Sequence, residues 1–143
     1  MSNFFVIDTN VLVAGLITRH EDSPVARSLD GLLSAAFGIV VSEALLAEYH
    51  TVLVRPKLCQ RHGLLVAEIE VILTEIARHA IVLAPLTALE SQVAPDAGDQ
   101  FLWDLLATRP DLKLVTGDKL LLQDPAMQQR VMSPQTFVTE IWH

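Results

Sequence analysis

Four acidic side chains in this chain stand where a carboxylate needs a reason. Asp8 ends the apolar run Phe4-Phe5-Val6-Ile7, and Asp118 closes the stretch Lys113-Leu114-Val115-Thr116-Gly117-Asp118 after a second such run. Strands that stop on an acid present it at their carboxyl ends, where α/β sheets bind ligands. On a helical wheel of residues 42–54, Glu48 falls between Ala44 and Val52, close to Leu45, inside the apolar stripe. Glu43 and His50 fall on the polar side. The helix beginning near Asp99 repeats this: Trp103 and Leu106 flank Asp99, while Asp104 turns outward with Gln100 and Thr108.

A carboxylate that faces a core must be paired, protonated or coordinated, because an isolated buried charge is very costly. Taken singly, each acid has a plain structural role open to it. Asp8 and Asp118 can cap helices, Glu48 can sit in a buried salt bridge, and Asp99 can occupy the third position of a helix capped by Asp96. Independent capping does not explain why Glu48 and Asp99 both point inward; convergence on a cation does. Oxygen donors without neighbouring histidine or cysteine favour magnesium or manganese over zinc. The chemistry such a set supports is phosphodiester hydrolysis, in which the cation polarises the phosphate, activates a water and stabilises the leaving oxygen.

The elements that must hold these acids can be read from the pattern. Residues 4–7, 38–41 and 112–115 are short, apolar and rich in β-branched residues, which predicts buried strands, with further short strands at 81–83 and 131–132. Helix signals follow the strands. Residues 10–17 follow the first; Ser42 caps a helix closed by Arg55-Pro56 after the second; Asp118 precedes a short turn over 119–122 after the third. Other helices are expected at about 25–36, 64–80 and 99–108, with a terminal one from Pro134. Strands alternating with helices imply an α/β fold with a parallel sheet, right-handed crossovers and helices on both faces.

With 143 residues the chain suits one domain with a sizeable core, so residues 1–143 are taken as a single unit. Its apolar fraction of 51% is high, yet its apolar stretches stop well short of the roughly 18 residues of a membrane span. The N-terminal apolar segment lacks a basic flank and carries Asp8, Thr9 and Asn10, unlike a secretion signal. A soluble, cytoplasmic protein without membrane contact is expected, and the single Cys59 fits a reducing compartment. A net charge of −7 argues against holding nucleic acid by bulk attraction, but a cation bound among the acids would offset their charge locally.

The residues that carry this pattern match a known family. In "VIDTNVLVAGL", "VVSEALLAEYHTVLVRPK", "DQFLWDLLA", "LVTGDKLLL" and "VMSPQTFVTEI" the chain resembles PIN-domain ribonucleases, in particular prokaryotic toxin components related to VapC toxins. The resemblance runs from about Phe5 to Phe137. It implies a three-layer α/β PIN-like fold whose central parallel sheet has four to five strands. By the same resemblance Asp8, Glu48, Asp99 and Asp118 are catalytic, metal-binding acids, with Thr9, Asn10 and Thr116 supporting them. Such proteins cleave single-stranded RNA with magnesium or manganese, are neutralised by a cognate antitoxin and frequently form homodimers. "DAGDQ" is less acidic than the aspartate-rich run of many relatives, which leaves Asp96, and with it a second ion, unassigned.

Other residues bear on substrate. Arg55 and Lys57 match the family pattern and are candidates for contact with an RNA backbone, although basic residues after a helix also complement its dipole. Lys119, beside Asp118, is a third candidate, with exposure on a helix surface as the plain alternative. Trp103 falls on the apolar arc of its helix, a core position close enough to Asp99 to leave base stacking open. His20, His62 and His79 are scattered and each follows an arginine, a pattern of surface or helix-end residues. Two rival readings are a binding module that kept the fold without catalysis and an aspartate-based phosphatase. The second fits poorly, since Asn10 stands where a dehalogenase-like enzyme has another aspartate, and Val41-Ser42-Glu43 stands where a receiver domain has its acceptor.

Overall fold

The short apolar runs do become adjacent strands. In the computed structural model, which describes residues 4–85 and 93–142, β1 (Phe4–Ile7), β2 (Gly38–Val41), β3 (Ile81–Val82), β4 (Leu112–Val115) and β5 (Val131–Met132) form one sheet. Their order is β3-β2-β1-β4-β5 and every pairing is parallel. β1, β2 and β4 are largely buried on both faces, which is why they read as continuous apolar runs instead of alternating ones, whereas both residues of the edge strand β3 are exposed. β1 is central, with Phe4 opposite Gly38 on one side and Leu112 on the other. The chain builds outward from β1 through β2 to β3 and then returns to start β4 on β1's other side. The carboxyl ends of β1 and β4 therefore flank the point where strand order reverses, the crevice in which open α/β sheets bind ligands.

The connecting helices are α1 (Thr9–Ile17), α2 (Pro24–Leu33), α3 (Glu43–Leu53), α4 (Pro56–His62), α5 (Val66–His79), α6 (Gln100–Leu106), α7 (Lys119–Leu122) and α8 (Pro134–Thr136). Together with the sheet they make a three-layer α/β architecture, as the resemblance implies. Ser23, Ser42 and Ser133 cap α2, α3 and α8 through their hydroxyls. α1 lies tightly on α2: a Cβ on Gly15 would come within 2.8 Å of the Val25 carbonyl oxygen and 2.9 Å of the Leu29 Cβ.

Three local expectations change. Arg55-Pro56 does not only close α3; Pro56 is the first residue of α4, because a proline's fixed φ suits a helix start as well as it stops a helix. The helix expected over 99–108 is shorter, running from Gln100 to Leu106, and a 3-10 turn over Ala97–Asp99 leads into it. The terminal helix from Pro134 is one α turn that widens into a π turn over Phe137–Ile141. Trp103 is 1% exposed and its indole N–H donates to Asp124 at 3.3 Å, so base stacking is excluded. Among the described residues, no helix is long and apolar enough to cross a membrane.

Candidate active site

Asp8 is placed by the ladder itself. Its backbone N–H donates to the Val115 carbonyl at 2.9 Å, continuing the β1–β4 pairing one residue past the strand, and its side chain then starts α1. Oδ1 accepts the Thr9 backbone N–H at 2.7 Å; Oδ2 accepts the Thr116 hydroxyl at 2.7 Å and the Asn10 amide at 3.2 Å. The capping role is real, and it leaves the carboxylate lining a cleft while only 5% exposed. Thr116 is wholly buried and its hydroxyl is saturated: it donates to Asp8 and accepts from the Asn10 amide and the Asp118 backbone N–H. Asn10 ties the second strand end to the first, since its Oδ1 accepts the Gly117 N–H at 3.0 Å.

Glu48 needs a correction of emphasis. The fully buried stripe of α3 is Leu45, Tyr49 and Leu53, and Ala44 is exposed, so Glu48 is at the stripe's flank and half-buried. The wheel erred because hydrophobicity cannot tell which apolar residues a neighbouring element covers. At that flank Glu48 faces the same cleft as Asp8, with Oε2 accepting the Thr9 hydroxyl at 2.5 Å. Tyr49, one residue on, donates its hydroxyl to the Ile7 carbonyl and so fastens α3 to the end of β1. Burial, then the Asp8 and Glu48 charges, hold that hydroxyl far above the ordinary tyrosine range, and it remains a donor.

Asp99 enters the cleft from the 3-10 turn ahead of α6, and Asp118 from the turn after β4, where its Oδ1 accepts the Leu120 N–H at 2.9 Å and caps α7. Asp96 is exposed and caps the 3-10 turn through the Gly98 N–H, away from the cleft lining. Asp8, Glu48, Asp99 and Asp118 thus come from four separate elements to one cleft of about 650 Å³, with Thr9 and Asn10 beside them. No basic side chain pairs with any of the four among the described residues. Burial pushes the Asp8 carboxyl up to about 6 from 3.8; hydrogen bonds from Thr116 and Thr9 pull it down, and the Asp99 and Glu48 charges add to the rise. Asp99 is raised too, first by burial and then by Asp118, Asp96 and Glu48. The acids feel one another across the cleft.

Those acids fit a hard divalent cation in donor type, all oxygen, share one cleft, and have no ion-pair partner among the described residues. Among the described residues no three acid, imidazole or thiol groups yet converge closely enough to hold an ion, an open spacing that mutual repulsion favours. A family model for the PIN domain matches residues 5–120, a span that includes all four acids. The chain belongs to the PIN-domain family. PIN domains are generally nucleases, hydrolases of phosphodiester bonds, and generally use divalent metals. No curated protein matches the chain.

The basic residues of this PIN domain are not where the sequence pointed. Arg55 and Lys57 are exposed at the start of α4 and border a separate depression with Pro56 and Leu58; Lys119 is exposed on α7. None of the three lines the acidic cleft, but Arg61 does. The sequence does not mark Arg61, because Pro56 reads equally as the end of α3 and as the start of α4. Once that helix is known, the signal is simple: Arg61 follows Leu58 by three residues and shares its face.

Proposed function

We propose that this PIN domain is a metal-dependent endoribonuclease that hydrolyses phosphodiester bonds of single-stranded RNA with magnesium or manganese. The observation that carries the reading is the meeting of four carboxylates from four elements in one cleft, with no ion-pair partner among the described residues. Asp8, Glu48, Asp99 and Asp118 would hold the ion, which when bound supplies Lewis acidity toward the phosphate and a more acidic water. The chain's own part is orientation. Thr116 and Asn10 fix the Asp8 carboxylate, Thr9 fixes Glu48, and Tyr49 locks α3 to the strand that carries Asp8.

The motif resemblance supports the further reading of a type II toxin that forms a homodimer and is neutralised by a cognate antitoxin, and the N-terminal segment and single Cys59 support cytoplasmic residence. The open spacing of the acids favours one other reading, a catalytically silent scaffold that binds without turnover. Incubation of purified protein with single-stranded RNA and manganese decides between them. Cleavage that EDTA abolishes and Asp8→Asn removes supports the nuclease; no cleavage together with no calorimetric uptake of manganese supports the scaffold.

A further inference from the structure

The acids are only part of the cleft's lining. Beyond Asp8 and Glu48 its wall is aliphatic, formed by Val13 and Ile17 of α1, Val25 of α2, Val52 of α3 and Leu58 of α4, all partly buried. Arg61 stands at this wall. Its guanidinium is exposed and makes no ion pair among the described residues, although four carboxylates line the same cleft. Its backbone is well fixed. α4 ends at Gly63 in the left-handed region with φ 72°; the His62 Nε2–H donates to the Leu53 carbonyl at 2.9 Å while Nδ1 accepts the Leu64 N–H at 3.0 Å.

We propose that this half of the cleft seats one unpaired nucleotide of the substrate strand, with Arg61 on its backbone phosphate and the aliphatic wall against its base. The inference rests on the nuclease reading and names the subsite next to the cut. A free arginine is the side chain suited to a phosphate oxygen pair. A strand entering an acidic cleft gains most from a cation held apart from the acids. An apolar wall can meet a base face only if the base has left its stack, so the seat selects single-stranded or looped RNA over duplex. The cleft's volume of about 650 Å³ is within the usual range for small-ligand sites, roughly 300–1,000 Å³. Besides Arg61, the polar side chain beside these aliphatic residues is Thr18, whose hydroxyl accepts the His20 N–H at 3.2 Å. The seat therefore offers shape with little base-edge recognition and discriminates weakly among the four bases.

The test pairs kinetics with binding. Arg61→Gln should raise KM for a single-stranded oligoribonucleotide about tenfold with kcat nearly unchanged, the loss of one charge-assisted hydrogen bond, and Arg61→Lys should recover part of it. The salt dependence of binding, read by fluorescence anisotropy of a labelled strand, should lose about 0.7 from its logarithmic slope, one phosphate contact. An abasic nucleotide walked along the strand should raise KM at one fixed position beside the cut. Cleavage with KM, salt slope and abasic series all unchanged overturns the seat and leaves the nuclease reading standing. A kcat loss at constant KM also overturns it. Arg61-dependent, salt-dependent RNA binding without cleavage does the reverse, retaining the seat and removing the nuclease.

Discussion

The two ends of the sheet treat charge in opposite ways. At the amino end, where β4 and β5 begin, charges are consumed by the fold. Arg130 donates from Nη2 to the carbonyls of Leu106, Arg109 and Leu112 at 2.7, 2.6 and 3.0 Å, tying the loop after α6 to the start of β4. Arg109 grips Asp111 with two hydrogen bonds of 3.0 and 2.8 Å and lies over the Phe4 ring. Its guanidinium holds the Asp111 carboxyl below the ordinary aspartate range. At the carboxyl end the acids have hydroxyl and amide donors but, among the described residues, no ion-pair partner, and Asp8 and Asp99 are raised. One end is arranged for stability, the other keeps unspent negative charge for a ligand.

The contrast is breakable by substitution. Asp8→Asn should reduce ribonuclease activity to background while leaving the protein folded, read by cleavage assay and circular dichroism; retained activity would strike Asp8 from the site. The pH dependence of stability should follow the sign of the Asp8 shift. Well below 3.8, the ordinary value, the acid is protonated in both folded and unfolded chains. As pH rises toward 6 the unfolded chain loses its proton first, so wild type should lose roughly 3 kcal/mol from this group and remain lower above it. Denaturant titrations of Asp8→Asn should lack that slope, and excess manganese at neutral pH should raise the wild-type Tm.

At the opposite end, Arg130→Met should cost about 2 kcal/mol in unfolding free energy, since it strips charged donors from three carbonyls, with activity per folded molecule unchanged. Thr116→Val should lower activity or metal affinity roughly 10- to 100-fold, as expected for a group that orients a ligand. The smallest effect belongs to Asp111→Asn: an exposed pair is broken, the Tm should barely move and cleavage should stay at wild-type rate. If it impaired cleavage instead, the division between the two ends would fail.

Some of this was open to inspection in the chain. β1, β2 and β4 lie at the residues their apolar runs predict, because a strand buried on both faces leaves a compact mark in the sequence. Asp8 and Asp118 were locatable for the same reason, as the residues that end such runs. α4 was not, since Pro56 is equally good punctuation for an ending and a beginning. Trp103 was legible as a core residue from its apolar arc, and its burial and its indole hydrogen bond to Asp124 close the stacking alternative. Arg61 was invisible as a site residue because its importance depends on a helix seven residues long and on which way that helix faces.

The sequence by itself determined the strand cores, the capping residues and the acid-rich motifs, since periodicity, turn chemistry and side-chain type act locally. Only the tertiary structure decided that Glu48 is at the flank of its helix's buried stripe, that Thr9 serves Glu48 while Thr116 serves Asp8, and that, among the described residues, the cation lining the cleft is Arg61 and not Arg55, Lys57 or Lys119. Those outcomes depend on which distant elements come to cover a given face. A helical wheel sees one helix, whereas burial and charge coupling are set by everything packed against it.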